Sequence, residues 1–254
     1  MMTFIAFLKK EFLEGLRSGR LMILLMLFVL FGIMNPAIAK LTPWMIEMMA
    51  DELAETGMTV TEVIVDANTS WVQFFKNIPM ALIVFICLYG GIFTKEYSTG
   101  TLVLILTKGL SRYKALLAKA TLMILLWTAG YFICFGITYS YNAYFWDNSV
   151  AKGLSSAVFA WYLFGLMTVC LTVFFSSFCK ASSGVLIGTG AVIFVSSLLG
   201  MIPKIKEFCP TYLISTAFPQ VGDEVSFAKA IIVTAVICVL CIAASIPIFN
   251  KRQL

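Results

Sequence analysis

The sequence predicts an all-α polytopic membrane protein: six transmembrane helices, preceded by an N-terminal amphipathic interfacial helix, with both termini in the cytoplasm. Three observations predict it. Of 254 residues, 61% are hydrophobic and only 12% charged, and the mean hydropathy is +0.96. A soluble domain carries about twice that share of charge, and one soluble core cannot hide so much apolar surface. Second, the apolar residues gather into six runs near the ~20 residues that a spanning helix requires. Third, the basic residues collect in the segments between alternate runs.

Composition also excludes functions. The chain has no histidine, which removes imidazole acid–base chemistry, HExxH metalloproteases and histidine-dependent intramembrane proteases. Soluble enzymes and nucleic-acid-binding modules do not fit so apolar a chain. Its net charge of +5 reports membrane topology and attraction to anionic lipid. Of the seven cysteines, Cys87, Cys134, Cys170, Cys238 and Cys241 lie inside apolar runs. Cys238 and Cys241 have redox spacing but no basic neighbour to lower a thiol pKa, so these thiols read as inert.

The elements follow in order. Residues 3–17 place Phe4, Leu8, Phe12 and Leu16 at i+4 spacing, with Lys9, Lys10, Glu14 and Arg17 elsewhere. That pattern predicts a helix lying on the inner leaflet. The first span, 21–39, is too long and too deep in the chain for a cleaved signal peptide. Pro36 is expected to kink or end it, because proline removes an N–H. In the outer segment, 40–77, Thr42-Pro43 is expected to start a helix that Gly57 stops. A capping box, Thr59-x-x-Glu62, then begins a second helix whose stripe of Val63, Ile64, Ala67, Trp71, Phe74 and Phe75 runs into the second span, 78–94. The remaining spans are expected at 116–139, 157–178, 184–202 and 228–249. With both termini inside, twelve of the 18 basic residues but only three of the 13 acidic ones fall on the cytoplasmic side, as the positive-inside rule requires.

The cytoplasmic loop at 95–115 carries the most information. Gly100 supplies a tight turn, and Leu102 to Leu106 would form a short apolar helix along the membrane surface. Ser111 is placed to cap the third span, and Arg112, Lys114 and Lys119 to anchor its inner end. A short apolar helix fringed by charge suits a groove on a partner protein; it equally suits packing on its own bundle. No charge lies at mid-span, as an ion-coupled carrier would need, and no inverted repeat with broken helices is visible. There is no P-loop. If transport is driven by ATP, the ATPase is another chain.

The pattern Glu96-x-x-x-Gly100-Thr101-Leu102, followed by Ser111-Arg112 and then Lys119, resembles the signature loop of ABC-2-type ABC transporter permeases. The resemblance covers the whole chain, 1–254, as a single permease domain, although Gly109-Leu110 stands where the family usually has a proline before the Ser-Arg pair. It implies the type V, G-subfamily-like exporter fold in the cell membrane, working as a homo- or heterodimer. It further implies no cofactor in this chain, with ATP and Mg bound by a separate ABC ATPase subunit. Glu96 would end the second span, Gly100, Thr101 and Leu102 would open the coupling helix, and Arg112 and Lys119 would brace it. The short format resembles bacterial exporters of phenol-soluble modulins or antimicrobial peptides, which implies an amphipathic or drug-like cargo. Gly184, Gly188, Ser196 and Gly200 form small-xxx-small pairs that would line the dimer interface or cargo path, or serve ordinary helix packing. Two other readings of the sequence are a membrane sensor subunit that binds an ATPase without transport, and an ion-coupled carrier.

Overall fold

A computed structural model describes residues 2–48, 65–94, 96, 100, 111–215 and 227–251. Eight α-helices are described: α1 (Met2–Arg17), α2 (Arg20–Met48), α3 (Ala67–Tyr89), α4 (Arg112–Phe145), α5 (Leu154–Phe178), α6 (Ser182–Leu199), α7 (Tyr212–Ser215) and α8 (Ala228–Lys251). Six of them, α2 to α6 and α8, are long and apolar enough to cross a membrane, and they mark a multi-pass membrane protein. Among the described residues there is no strand.

Helix α2 does not end at Pro36, and no new helix begins at Thr42-Pro43; one helix of 29 residues passes through both prolines. The reason lies in α4. Pro36 cannot donate to the carbonyl of Gly32, four residues back, but the buried Thr138 hydroxyl donates to that oxygen at 3.1 Å. In an apolar medium a neighbouring hydroxyl can replace the missing donor and let the helix continue. Gly32 makes the approach possible, since a Cβ there would lie 2.9 Å from Cβ of Ile137. The side chains of Asn35 and Asn77 extend the junction: Asn77 Nδ2 donates to Asn35 Oδ1 at 2.7 Å, and Asn35 Nδ2 donates to Thr138 Oγ1 at 3.1 Å. Three spans are thereby joined through one polar chain.

Helix α3 starts at Ala67, capped by Asp66, whose carboxylate accepts from the Thr69 amide at 3.1 Å. The Trp71–Phe74–Phe75 stripe is buried and continuous with the span. The helix expected to carry it there from Thr59 is interrupted, because residues 65 and 66 are not helical and Asp66, in an extended conformation, caps a new start. The capping box at Thr59 and Glu62, and the stop at Gly57, lie outside the described residues. The helix closes at Tyr89, short of the expected 94, because residues 90–93 form turns. Ser111 stands at the N-cap of α4, but its hydroxyl makes no capping bond. At 34 residues, α4 is about 51 Å long and outruns the ~30 Å hydrocarbon core. Between α6 and α8 the described residues hold a 3-10 turn at Lys206–Phe208 and the short α7.

The core is aromatic. Trp71, Phe74, Phe85, Trp127 and Tyr131 are fully or almost fully buried, and their rings meet edge-on or tilted at 5.6–5.9 Å. The polar ends of these side chains are satisfied: Tyr131 donates to the Val158 carbonyl at 2.7 Å, and Trp127 to that of Tyr162 at 3.3 Å. Helix α6 stands apart, with only Val185 and Thr189 buried; Ile187, Phe194 and Val195 face outward, as lipid-contacting residues would.

One substitution tests the α2 junction. Thr138→Val leaves the Gly32 carbonyl without a donor in an apolar setting and is expected to cost about 1–3 kcal/mol. Adding Pro36→Ala restores the helical N–H and should recover the Gly32 part of that loss in a thermal-unfolding measurement, while the Asn35 amide that donates to Thr138 stays without its acceptor. No recovery would show that the Gly32 carbonyl is not what Thr138 serves.

A buried charge cluster as the candidate functional site

Three elements meet where α4 begins. Small residues on α4, Ala115 and Ala118, let α1 approach closely, and they pack with Phe7 and Phe4. Within α1 the buried positions are therefore Phe7 and Glu11. Phe12, a member of the expected Phe4–Leu8–Phe12–Leu16 stripe, is exposed, whereas Leu8 and Leu16 are partly buried. The contact face is rotated from that stripe because Glu11 has a partner on α4.

That partner is Lys119, whose side chain is 1% exposed. Its ammonium lies 2.7 Å from Glu11 Oε2 and 3.0 Å from Glu96 Oε1. The Ile92 carbonyl accepts a longer bond at 3.5 Å. The rings of Phe7 and Phe93 lie 5.8 and 5.7 Å from the charge, within cation–π range. At the rim, Lys10 contacts Glu14 at 2.7 Å, Glu11 at 3.0 Å and Glu96 at 3.7 Å. The result is a two-lysine, three-glutamate cluster that joins α1, the segment after α3, and α4. Desolvating a charge costs several kcal/mol unless partners surround it closely; here each buried charge has them.

Burial pushes the Glu96 carboxyl above its ordinary value, and the attraction of Lys119 works against that shift. For Lys10, burial opposes the charge, but hydrogen bonds to Glu14 and Glu11 prevail and raise its pKa. A cavity of about 30 Å³ beside the cluster is lined by Tyr89 and Glu96. Tyr89 Oη and Glu96 Oε2 are both buried without a hydrogen-bond partner among the described residues.

The structure thus brings Glu96 and Lys119 together and adds Glu11, which the sequence pattern did not single out. The signal was present: a lysine three residues inside an apolar span calls for a carboxylate. Gly100 adopts φ +67°, the left-handed conformation that favours glycine, and nothing lies within 4 Å of where its Cβ would be. Thr101 and Leu102 lie outside the described residues, as does the expected helix at 102–106. Arg112 Nη1 donates to the Asn250 carbonyl at 3.0 Å, tying the start of α4 to the last turn of α8, where a cation is favoured. Gly188 faces Phe175 of α5, with room for no Cβ, and Gly184 lies near Cys179. The Ser196 carbonyl accepts from Thr211 at 3.1 Å, beside Gly200.

Fold and cluster define a multi-pass helical membrane protein with an ionic junction at one end of its bundle. The chain belongs to the family described as Protein of unknown function (DUF2705), whose family model matches residues 22–254. That span includes Glu96 and Lys119 but not Glu11. No curated protein matches the chain.

Removing the shared cation should be the most damaging single change. Lys119→Met strands two buried carboxylates and is expected to destabilise the protein by about 3–5 kcal/mol, read as loss of the monodisperse species on heating in detergent. The pH response isolates Glu96. A carboxyl whose folded pKa is raised binds its proton more tightly in the folded state. Its contribution to stability is then present in acid and lost as pH rises from the unfolded glutamate range through the raised value. Glu96→Gln should flatten the stability profile across that window; an unchanged slope would assign the dependence to another group.

Proposed function

We propose that this chain is the permease subunit of an ATP-driven ABC exporter. It moves an amphipathic or hydrophobic cargo, such as a peptide, antimicrobial or drug-like molecule, out across the cell membrane. The amphipathic α1 lies on the inner leaflet, both termini are cytoplasmic, and residues 101–110 dock on a separate ABC ATPase that binds ATP and Mg. A second permease subunit completes the pathway. The chain itself does no covalent chemistry.

One observation carries this reading: the loop at 95–111, which resembles the family's coupling loop, is anchored on both sides by buried or terminal polar contacts. Glu96, at its start, is held by Lys119. Arg112, just after it, holds the Asn250 carbonyl in the last turn of α8. A push on the loop is therefore delivered to α1 through Glu11, to α4 through Lys119 and to α8 through Arg112. Rigid ionic joints transmit motion to several helices together, which is what rocking a bundle between two access states requires. The placement of the cluster beyond the turns that end α3, rather than at mid-span, favours a mechanical junction over the charge relay of an ion-coupled carrier.

The left-handed Gly100 gives a test. Proline fixes φ near −65° and cannot adopt +67°, so Gly100→Pro should abolish stimulation of the partner ATPase, and export with it, while the permease still folds and still binds the ATPase. Export and stimulation at wild-type rates in Gly100→Pro and in Glu96→Ala would remove the coupling role from this loop.

A further inference from the structure

A second cavity opens at the same end of the bundle. It has a volume of about 470 Å³ and lies between the start of α2, the turns after α3 and the start of α6. Arg20 and Lys180 line it, with Thr94 and Ser182 between them and Cys87 and Leu88 along the wall. Among the described residues neither cation has a carboxylate within 4.0 Å. The nearby acids Glu11, Glu14 and Glu96 are engaged by Lys10 and Lys119. The Thr94 and Ser182 hydroxyls bond to each other at 2.8 Å, which fixes the turns after α3 against the first residue of α6. Gly91 allows that contact, since its Cβ would lie 2.7 Å from Ser182 Oγ.

Two cations on one cavity repel unless an anion lies between them. The guanidinium of Arg20 offers a planar fork that matches phosphate oxygens, and the Lys180 ammonium adds a point charge. The first turn of α6 opens there without a capping side chain, so its positive end reinforces the two cations that carry the site. Cys87 is exposed, and the cavity is ringed by the start of α2, the end of α3 and the start of α6. We propose that this cavity binds a phosphate group, the headgroup of an anionic phospholipid or a free phosphate anion, between Arg20 and Lys180. Basic pockets between spans at a membrane face take lipid headgroups by this chemistry. The site stands independently of the transporter reading, and it would tie α2, α3 and α6 to one ligand, recruiting a sparsely buried span to the bundle.

The test uses the full chain in nanodiscs of phosphatidylcholine with or without phosphatidylglycerol, and counts retained lipid by native mass spectrometry. A parallel arm titrates inorganic phosphate into the phosphatidylcholine discs. Phosphatidylglycerol should be retained over phosphatidylcholine, and Arg20→Ala and Lys180→Ala should each lower that preference about fivefold. Lys180 is exposed, so its variant keeps the fold. Lys251→Ala, at the same end but outside the cavity, should leave the preference unchanged. Arginine-dependent binding of inorganic phosphate without lipid preference would assign the site to the free anion. Absence of both kinds of binding, or an equal loss in Lys251→Ala, would overturn the proposal.

Discussion

The end of this bundle where α1 packs depends on a single buried cation. Lys119 sits inside an apolar span, and the energetics of low-dielectric media give it two options: neutralise, or gather carboxylates. It gathers two from different parts of the chain, Glu11 on α1 and Glu96 after α3. Everything nearby is arranged around that choice. Alanines at 115 and 118 bring α1 close, Phe7 and Phe93 shield the ammonium, and Lys10 balances the remaining acid at the rim. Breaking such a cluster by removing one partner is costly, because the other charge is left buried and uncompensated.

Toward the other end, a different device performs the equivalent task. The Asn77–Asn35–Thr138–Gly32 chain joins α3, α2 and α4 with uncharged groups. Neutral hydrogen bonds cost far less to bury than charges. The bundle is thus fastened ionically near α1 and by amide and hydroxyl groups higher up, with aromatic packing between. Helices α6 and α8 are left with mostly outward, apolar surfaces.

The six spans were legible because a membrane imposes a length and a composition that no soluble core requires, and each observed helix overlaps its expected range. What escaped notice depended on partners distant in sequence. Pro36 reads locally as a break; the donor that annuls it, Thr138, is 106 residues from the carbonyl it serves. The buried face of α1 could not be read from its apolar stripe, because a carboxylate seeking Lys119 sets the rotation. Within the site, Glu96 and Lys119 were legible from the loop pattern, whereas Glu11 was hidden among surface charges. Arg112 was expected to brace the loop; its described bond is to the end of α8, a contact that sequence spacing does not encode.

The central claim is that Glu11 and Lys119 form one energetic unit joining α1 to the bundle. A double-mutant cycle with Glu11→Gln and Lys119→Met, read as unfolding free energy, measures it directly. Each single change strands a buried charge, while the pair removes both, so the double variant should be less destabilised than the sum of the singles, by about 1–3 kcal/mol. Additive losses would mean that the two side chains do not act together, and the junction described here would not exist.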